Sequence, residues 1–165
     1  MTSAPLRVGI LTVSDAGARG ERPDRSGDQI AAWVSGRGDT LAERALVPDE
    51  TGAIAGRLID WSDSGEVDLI LTTGGTGLTP RDLTPEATRA VLEREAPGIT
   101  EAIRIAALPR FPRAALSRGV AGIRRRTLII NLPGSTGGVT DGLAVLDPVI
   151  DHAIQMVRGE HTEHG

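Results

Sequence analysis

A three-layer α/β/α domain with a mostly parallel central sheet is the architecture expected of this chain. Strand-length runs, LRVGILTV at residues 6–13, LAERALV at 41–47 and VDLIL at 67–71, alternate with stretches whose apolar residues recur at helical spacing. That alternation is the mark of βαβ units, whose strands are buried on both faces and rich in branched side chains. Polar turns also follow the runs. With 165 residues and 39% hydrophobic content, the chain has enough material for one domain, 1–165, and too little for two.

The elements follow in order. After the first strand, residues 15–27 read as a charged, glycine-bearing loop, and Ser26 is the expected N-cap of a helix with Ile30, Trp33 and Val34 inward. Residues 41–47 fit a short helix as well as a strand. Strand is preferred because Pro48 ends the run and Ile54, Leu58 and Trp61 then form a helical stripe starting at Glu50. The third strand, 67–71, runs into TTGGTGLTPRD, where Gly74, Gly75 and Gly77 permit positive φ and a concave nest of N–H groups suited to an anion. Thr84, Pro85 and Glu86 read as the N-cap, first-turn proline and first-turn acid of a helix to residue 94.

Pro97 opens a second helix with Ile99, Ala102, Ile103, Ala106 and Ala107 inward, ended by Pro109 and Pro112. Strands are expected at 120–123 and 127–132, with Arg124, Arg125 and Arg126 as a solvated turn between them. A glycine-bearing turn at 131–136 leads into a short helix to about residue 143. A last helix opens at Asp147 and Pro148, with Val149, Ile150, Ala153, Ile154 and Val157 inward. The ordered core should span about 6–157, and residues 160–165 should form a disordered tail.

Composition narrows the chemistry. The chain has no Cys, no Tyr and no Lys, since all 18 basic residues are Arg, and its histidines are His152, His161 and His164. Thiolate nucleophiles, cysteine-ligated metals, Schiff-base and Walker lysines and the usual histidine base are thereby removed. Asp, Glu, Ser, Thr, Arg and backbone amides remain, a set suited to phosphoryl or nucleotidyl transfer with a divalent cation. A net charge of −4 with two Trp and one Phe argues against a nucleic-acid partner. No apolar run reaches the roughly 18–20 residues of a membrane span and no basic-apolar leader opens the chain, so no membrane association and a cytoplasmic location are expected.

Parallel sheets bind ligands beyond the carboxyl ends of their strands. Four polar turns should gather there: Ser14 with Asp15, Pro48 with Asp49, residues 74–82, and residues 131–136. Each alone is explicable as a tight turn or a helix cap; together they predict a shared site. GGTGLT is neither the GxxxxGK[ST] phosphate loop nor the GxGxxG dinucleotide fingerprint.

Four linked motifs, TTGGTGLTPRDLTPEAT at 72–88, PGITEAIR at 97–104, LSRG at 116–119 and LIINLPGS at 128–135, together resemble the MoaB/Mog family of molybdenum cofactor biosynthesis, over residues 8 to about 157. The resemblance implies a homotrimeric molybdopterin adenylyltransferase that joins the terminal phosphate of molybdopterin to the AMP part of ATP with Mg²⁺ and releases pyrophosphate, with a molybdate-inserting protein as a candidate partner. It also implies Asp49 and Asp82 as the catalytic, magnesium-binding carboxylates and Gly74, Gly75, Thr76 and Gly77 as the phosphate-holding loop. Ser14, Asp15, Ser117, Asn131, Pro133, Gly134 and Ser135 would line the nucleotide and pterin pockets. Ala16, and Gly137 with Gly138, depart from the family's commoner residues on the pterin side. A trimeric molybdopterin-binding scaffold that does not turn over is the alternative the motifs leave open, with a nucleotide sensor of the same fold behind it.

Overall fold

The computed structural model describes residues 3–160; the expected tail falls outside this range except for its first residue, as do His161 and His164. The elements are β1 Arg7–Val13, α1 Asp15–Ala18, α2 Arg25–Gly36, β2 Thr40–Val47, α3 Thr51–Asp63, β3 Leu69–Thr73, α4 Thr84–Val91, β4 Arg94–Glu95, α5 Pro97–Ala107, a 3₁₀ turn Pro112–Leu116, β5 Ala121–Arg124, β6 Thr127–Leu132, α6 Thr136–Leu146 and α7 Ile150–Val157. One sheet has the order β2-β1-β3-β6-β5-β4. Its first four strands are mutually parallel, and β5 pairs antiparallel with both β6 and β4.

Alternation along the strands builds two apolar layers. Val8, Ile10, Leu69, Leu71, Leu128 and Ile130 face α2, α5, α6 and α7, meeting Ile30, Val34, Ile103, Val139, Leu143 and Ile154. Leu11, Val13, Ile70 and Ile129 face the other way, onto Ile54, Leu58 and Trp61 of α3 and Ala87 and Val91 of α4. Gly9 lies under the Trp61 ring: a Cβ there would sit 2.9 Å from Cε3, so the indole takes the place of a strand side chain. The three layers and the mostly parallel sheet are as expected.

Several local expectations are corrected. Asp24, not Ser26, caps α2, its carboxylate accepting from Gly27 N at 3.0 Å, and the loop after β1 contains the short helix α1, capped by Ser14. α4 stops at Val91 because the chain then turns into β4, whose flanking amides Glu93 N and Ala96 N donate to Ile123 O and Ala121 O. Thr84 is the first residue of α4 rather than its cap. On α5, Ala102 and Ala106 are exposed while Ile103 and Ala107 are buried, and Val149 likewise faces solvent ahead of α7. Asp147 closes α6 and accepts from Trp33 Nε1. The arginine turn is exposed at Arg125 and Arg126 as expected, and Arg124 and Arg125 additionally pair with Asp63.

Asp68, the one polar residue of the 67–71 run, is buried at the amino end of the sheet. It accepts from Arg7 N, Arg7 Nε and Arg7 Nη2 at 2.9, 3.1 and 2.9 Å, and Arg158 Nη2 lies 2.8 Å away. Burial pushes this carboxyl up, but the two guanidinium groups outweigh it and hold it down at about 2. Because the folded value lies below the unfolded one, the stabilisation is present above pH 4 and is lost as pH falls from about 4 to 2, on the order of 2 kcal/mol in all. Asp68→Asn should therefore cost about that much at pH 7 and flatten the acid limb of stability, measured by urea unfolding at pH 7 and pH 3. An unchanged acid limb would remove Asp68 from that role.

Candidate functional site

The carboxyl ends of β1, β2, β3 and β6 deliver the four predicted turns to one edge of the sheet, around a cleft of about 730 Å³. Ser14, Asp49, Gly74, Gly75, Asp82, Gly134 and Ser135 line it. That volume is typical of small-molecule sites.

The glycine loop is fitted into this edge more tightly than its sequence suggests. Gly74 and Gly75 have φ of 97° and 69°, the left-handed region open to glycine. A Cβ on Gly74 would lie 2.3 Å from Val13 O, and one on Gly75 would lie 2.3 Å from Thr84 Oγ1 and 3.1 Å from Asp49 Oδ1. Thr84 secures the loop from below: its Oγ1 donates to Gly74 O and its N to Gly75 O, at 2.9 and 3.1 Å. Gly77 differs from expectation. Its φ is not positive, and what glycine provides there is room for the Asp82 carboxylate, since a Cβ would meet Asp82 Oδ2 at 2.8 Å and displace it. The N–H groups of Gly75, Thr76 and Gly77 make no hydrogen bond among the described residues, whereas Gly74 N donates to Leu132 O. Three successive donors are thus available to an anion.

Three carboxylates surround the loop. Asp15 and Asp49 are joined reciprocally, Asp15 N donating to Asp49 Oδ2 at 3.0 Å and Asp49 N to Asp15 Oδ1 at 2.9 Å. Arg81 then grips Asp15 with Nε and Nη2, at 3.0 and 2.9 Å. The Arg81 bonds first, and the Asp49 N–H second, hold the Asp15 carboxyl below its ordinary value. Burial pushes Asp49 up, and the neighbouring carboxylates Asp15 and Asp82 push it further. Asp49 is not a helix cap, since Glu50 occupies the cap position of α3. Asp82 Oδ2 accepts from Thr79 N and Oγ1 at 2.9 and 2.8 Å. Asp49 and Asp82 therefore each commit one oxygen to the chain and leave Oδ1 without a donor among the described residues. No cluster of three or more potential ligands stands ready for a metal among those residues. Two free carboxylate oxygens, one on a group whose ionised form is disfavoured by its neighbours, fit Mg²⁺ of the kind that takes one or two carboxylates and completes its shell with water and phosphate oxygens.

The remaining predicted residues divide. Ser117, Asn131 and Pro133 line a separate cavity of about 90 Å³, which Ser135 shares with the main cleft. Asn131 is buried with its amide spent internally: Nδ2 donates to Thr72 and Thr88 Oγ1, and Oδ1 accepts from Val120 N. Thr76 is buried, its carbonyl accepting from Arg118 N. The loop before α2, read from sequence as solvated, instead supplies Arg22, Arg25 and Ser26 to the cleft wall, near Ser135 and Thr136 at the start of α6. Neither Arg22 nor Arg25 has an ion pair among the described residues. Their presence beside the glycine loop depends on Asp24, which joins Thr12 Oγ1, Gly27 N and Arg44. The adjacent strand-end threonine and the DRSG cap were the signals in the sequence.

Residues 9–152 match the family model described as "Probable molybdopterin binding domain". The chain is similar to the molybdenum cofactor synthesis protein cinnamon of Drosophila melanogaster, 40% identical over 156 residues, covering 92% of this chain and 26% of that protein. The chain thus spans about a quarter of that longer relative. It is 36% identical over 167 residues to the molybdopterin adenylyltransferase of Helicobacter pylori strain J99, covering 96% of this chain and 91% of that one. Among solved structures, the molybdopterin biosynthesis enzyme MoaB of Thermus thermophilus superposes with a TM-score of 0.88 at 53% identity, over 94% of this chain and 98% of that one.

The loop geometry separates two glycines. Gly74→Ala forces both a strained φ and a backbone clash and should cost about 2–3 kcal/mol or more, seen as a drop of several degrees in melting temperature. Gly77→Ala meets only the end of the Asp82 side chain, so it should melt within about 1 kcal/mol of the parent while displacing that carboxylate. Equal melting losses for the two variants would contradict this placement.

Proposed function

The chain belongs to the probable molybdopterin binding domain family, and from that premise we propose that it is a molybdopterin adenylyltransferase acting in molybdenum cofactor biosynthesis. A terminal phosphate oxygen of molybdopterin attacks the α-phosphorus of ATP; the new P–O bond forms as the bond to the β-phosphate oxygen breaks, and pyrophosphate leaves with that electron pair. The observation that carries this reading is the donor set at the cleft: among the described residues, the Gly75 N–H, Arg22 and Arg25 have no partner, Asp49 and Asp82 each keep one oxygen without a donor, and no histidine lines the cleft. A phosphate nucleophile is already anionic at neutral pH and needs no base to activate it. The task is to bring two polyanions together, which fixed donors accomplish and uncompensated carboxylates oppose.

In this reading the amides of Gly75, Thr76 and Gly77 hold nucleotide phosphates, Arg22 and Arg25 draw in the second anionic substrate, and Asp49 and Asp82 hold Mg²⁺ through their free oxygens. When bound, Mg²⁺ supplies charge neutralisation at the phosphates. Ser14, Gly134 and Ser135 border the cleft, and Ser117 and Pro133 border the adjoining cavity as pterin-side contacts. Asp15 serves through Arg81 and Asp49. No helix among the described residues is long and apolar enough to cross a membrane; a cytoplasmic location and a molybdate-inserting partner belong to this proposal. Exposed Ile105, Phe111 and Leu116 on and after α5 are apolar side chains available to a subunit contact, and the homotrimer is part of this proposal.

Incubation with molybdopterin, ATP and Mg²⁺ should yield adenylylated pterin and pyrophosphate. Retained pterin binding without product would favour a non-catalytic scaffold. Asp82→Asn keeps the Thr79 contacts in shape but removes the charge, so turnover should fall by roughly 10² to 10³ with melting temperature and pterin affinity unchanged; wild-type turnover would end its catalytic assignment. Light scattering should give three times the 17.2 kDa chain mass, whereas a monomer at micromolar concentration would contradict the trimer.

A further inference from the structure

We infer that Arg118 is the positioning residue of the nucleotide loop, holding Asp82 at the cleft through the backbone on both sides of the loop tip; this rests on the adenylyl-transfer reading above. Residues 77–82 project from the sheet edge with Leu78 at their tip 64% exposed. Their internal bonds, Asp82 N to Thr79 O and Thr79 to Asp82 Oδ2, shape the tip without fixing it to anything. Among the described residues, the hydrogen bonds that tie this segment to the rest of the chain come from two arginines. Arg81 reaches outward to Asp15. Arg118, in the segment between the 3₁₀ turn and β5, holds the loop directly: Nε donates to Gly77 O at 2.8 Å and Nη2 to Asp82 O at 2.7 Å.

The geometry needs a guanidinium. Nη1 is held by Glu86 in the first turn of α4, so the planar fork is oriented from one side and spends its other two nitrogens on carbonyls five residues apart. Arg118 N also donates to Thr76 O at 2.8 Å, fixing the arginine's own backbone to the loop it holds. A lysine ammonium has the charge but cannot span both carbonyls while paired with Glu86. Arg118 does not line the main cleft, so its effect on the reaction passes through Asp82 and the Gly77 amide. Ser117 and Arg118, adjacent in LSRG, both border a cleft of about 490 Å³ beside α5, but Ser117 also borders the small cavity whereas Arg118 braces the loop.

The test compares the full chain with Arg118→Lys and Arg118→Gln by hydrogen exchange and by steady-state adenylylation. Losing hydrogen bonds from a charged donor should speed exchange of the hydrogen-bonded loop amides Thr79 and Asp82 by about tenfold or more, leave β1, β3 and β6 protected, and lower kcat by a similar factor with pterin affinity kept. Arg118→Lys should fail to rescue either quantity. Unchanged exchange at Thr79 and Asp82 would overturn the inference, as would exchange that rises equally in the core strands, or local loosening with wild-type kcat. If the parent protein itself makes no adenylylated product, the adenylyl-transfer reading fails, and the exchange pattern alone still decides whether Arg118 braces the loop.

Discussion

The close approach of the Gly74 backbone to the end of β1 is the constraint from which the site follows. The chain leaves β3 so near Val13 O that no side chain fits, and a Cβ on Gly134, leaving β6, would lie 3.2 Å from Gly74 Cα. With three strand ends packed backbone to backbone, the loop turns through positive φ at two successive glycines, which leaves Gly75, Thr76 and Gly77 N–H without partners among the described residues, Gly75 bordering the cleft. The carbonyls on the inner side of the turn are met by Thr84, which explains why this residue opens α4 without capping it.

Charge at this edge is arranged in opposition. Asp15 is compensated by Arg81 and by a peptide N–H, and its ionised form is favoured. Asp49, joined to it by reciprocal backbone bonds, is buried and faces two like charges, so its ionised form is disfavoured. An acidic group held at a disadvantage, next to amides and arginines without partners among the described residues, is an environment that an incoming cation and anion together would compensate. The ion pairs at the opposite end of the sheet differ in kind: Asp68 is fully saturated by Arg7 and Arg158 and its function is to hold β1, β3 and α7 in register.

The pattern of apolar runs and polar turns was sufficient for the layers, the parallel strands and the convergence of the four turns, because strand period, helix period and the carboxyl-end rule are local or topological properties. Family motifs extended this to Asp49, Asp82 and the glycine loop. Less was legible where one segment answers to another far along the chain. The charged loop at 15–27 carries no apolar period, yet Thr12 and Arg44 hold Asp24 so that Arg22 and Arg25 reach the cleft wall.

Sequence alone therefore established the architecture, the chemistry excluded by the missing Lys, Tyr and Cys, and the turns that would share an edge, since residue type and periodicity dictate each of these. Packing in three dimensions settled the rest. It assigned Gly77 to making room for Asp82 instead of to positive φ, spent the Asn131 amide on Thr72, Thr88 and Val120, turned residues 94–95 into a strand, and aimed Arg118 at two loop carbonyls. The reason is physical: a hydrogen bond or a clash depends on the partner's position, and those partners lie as many as 59 residues away in the chain.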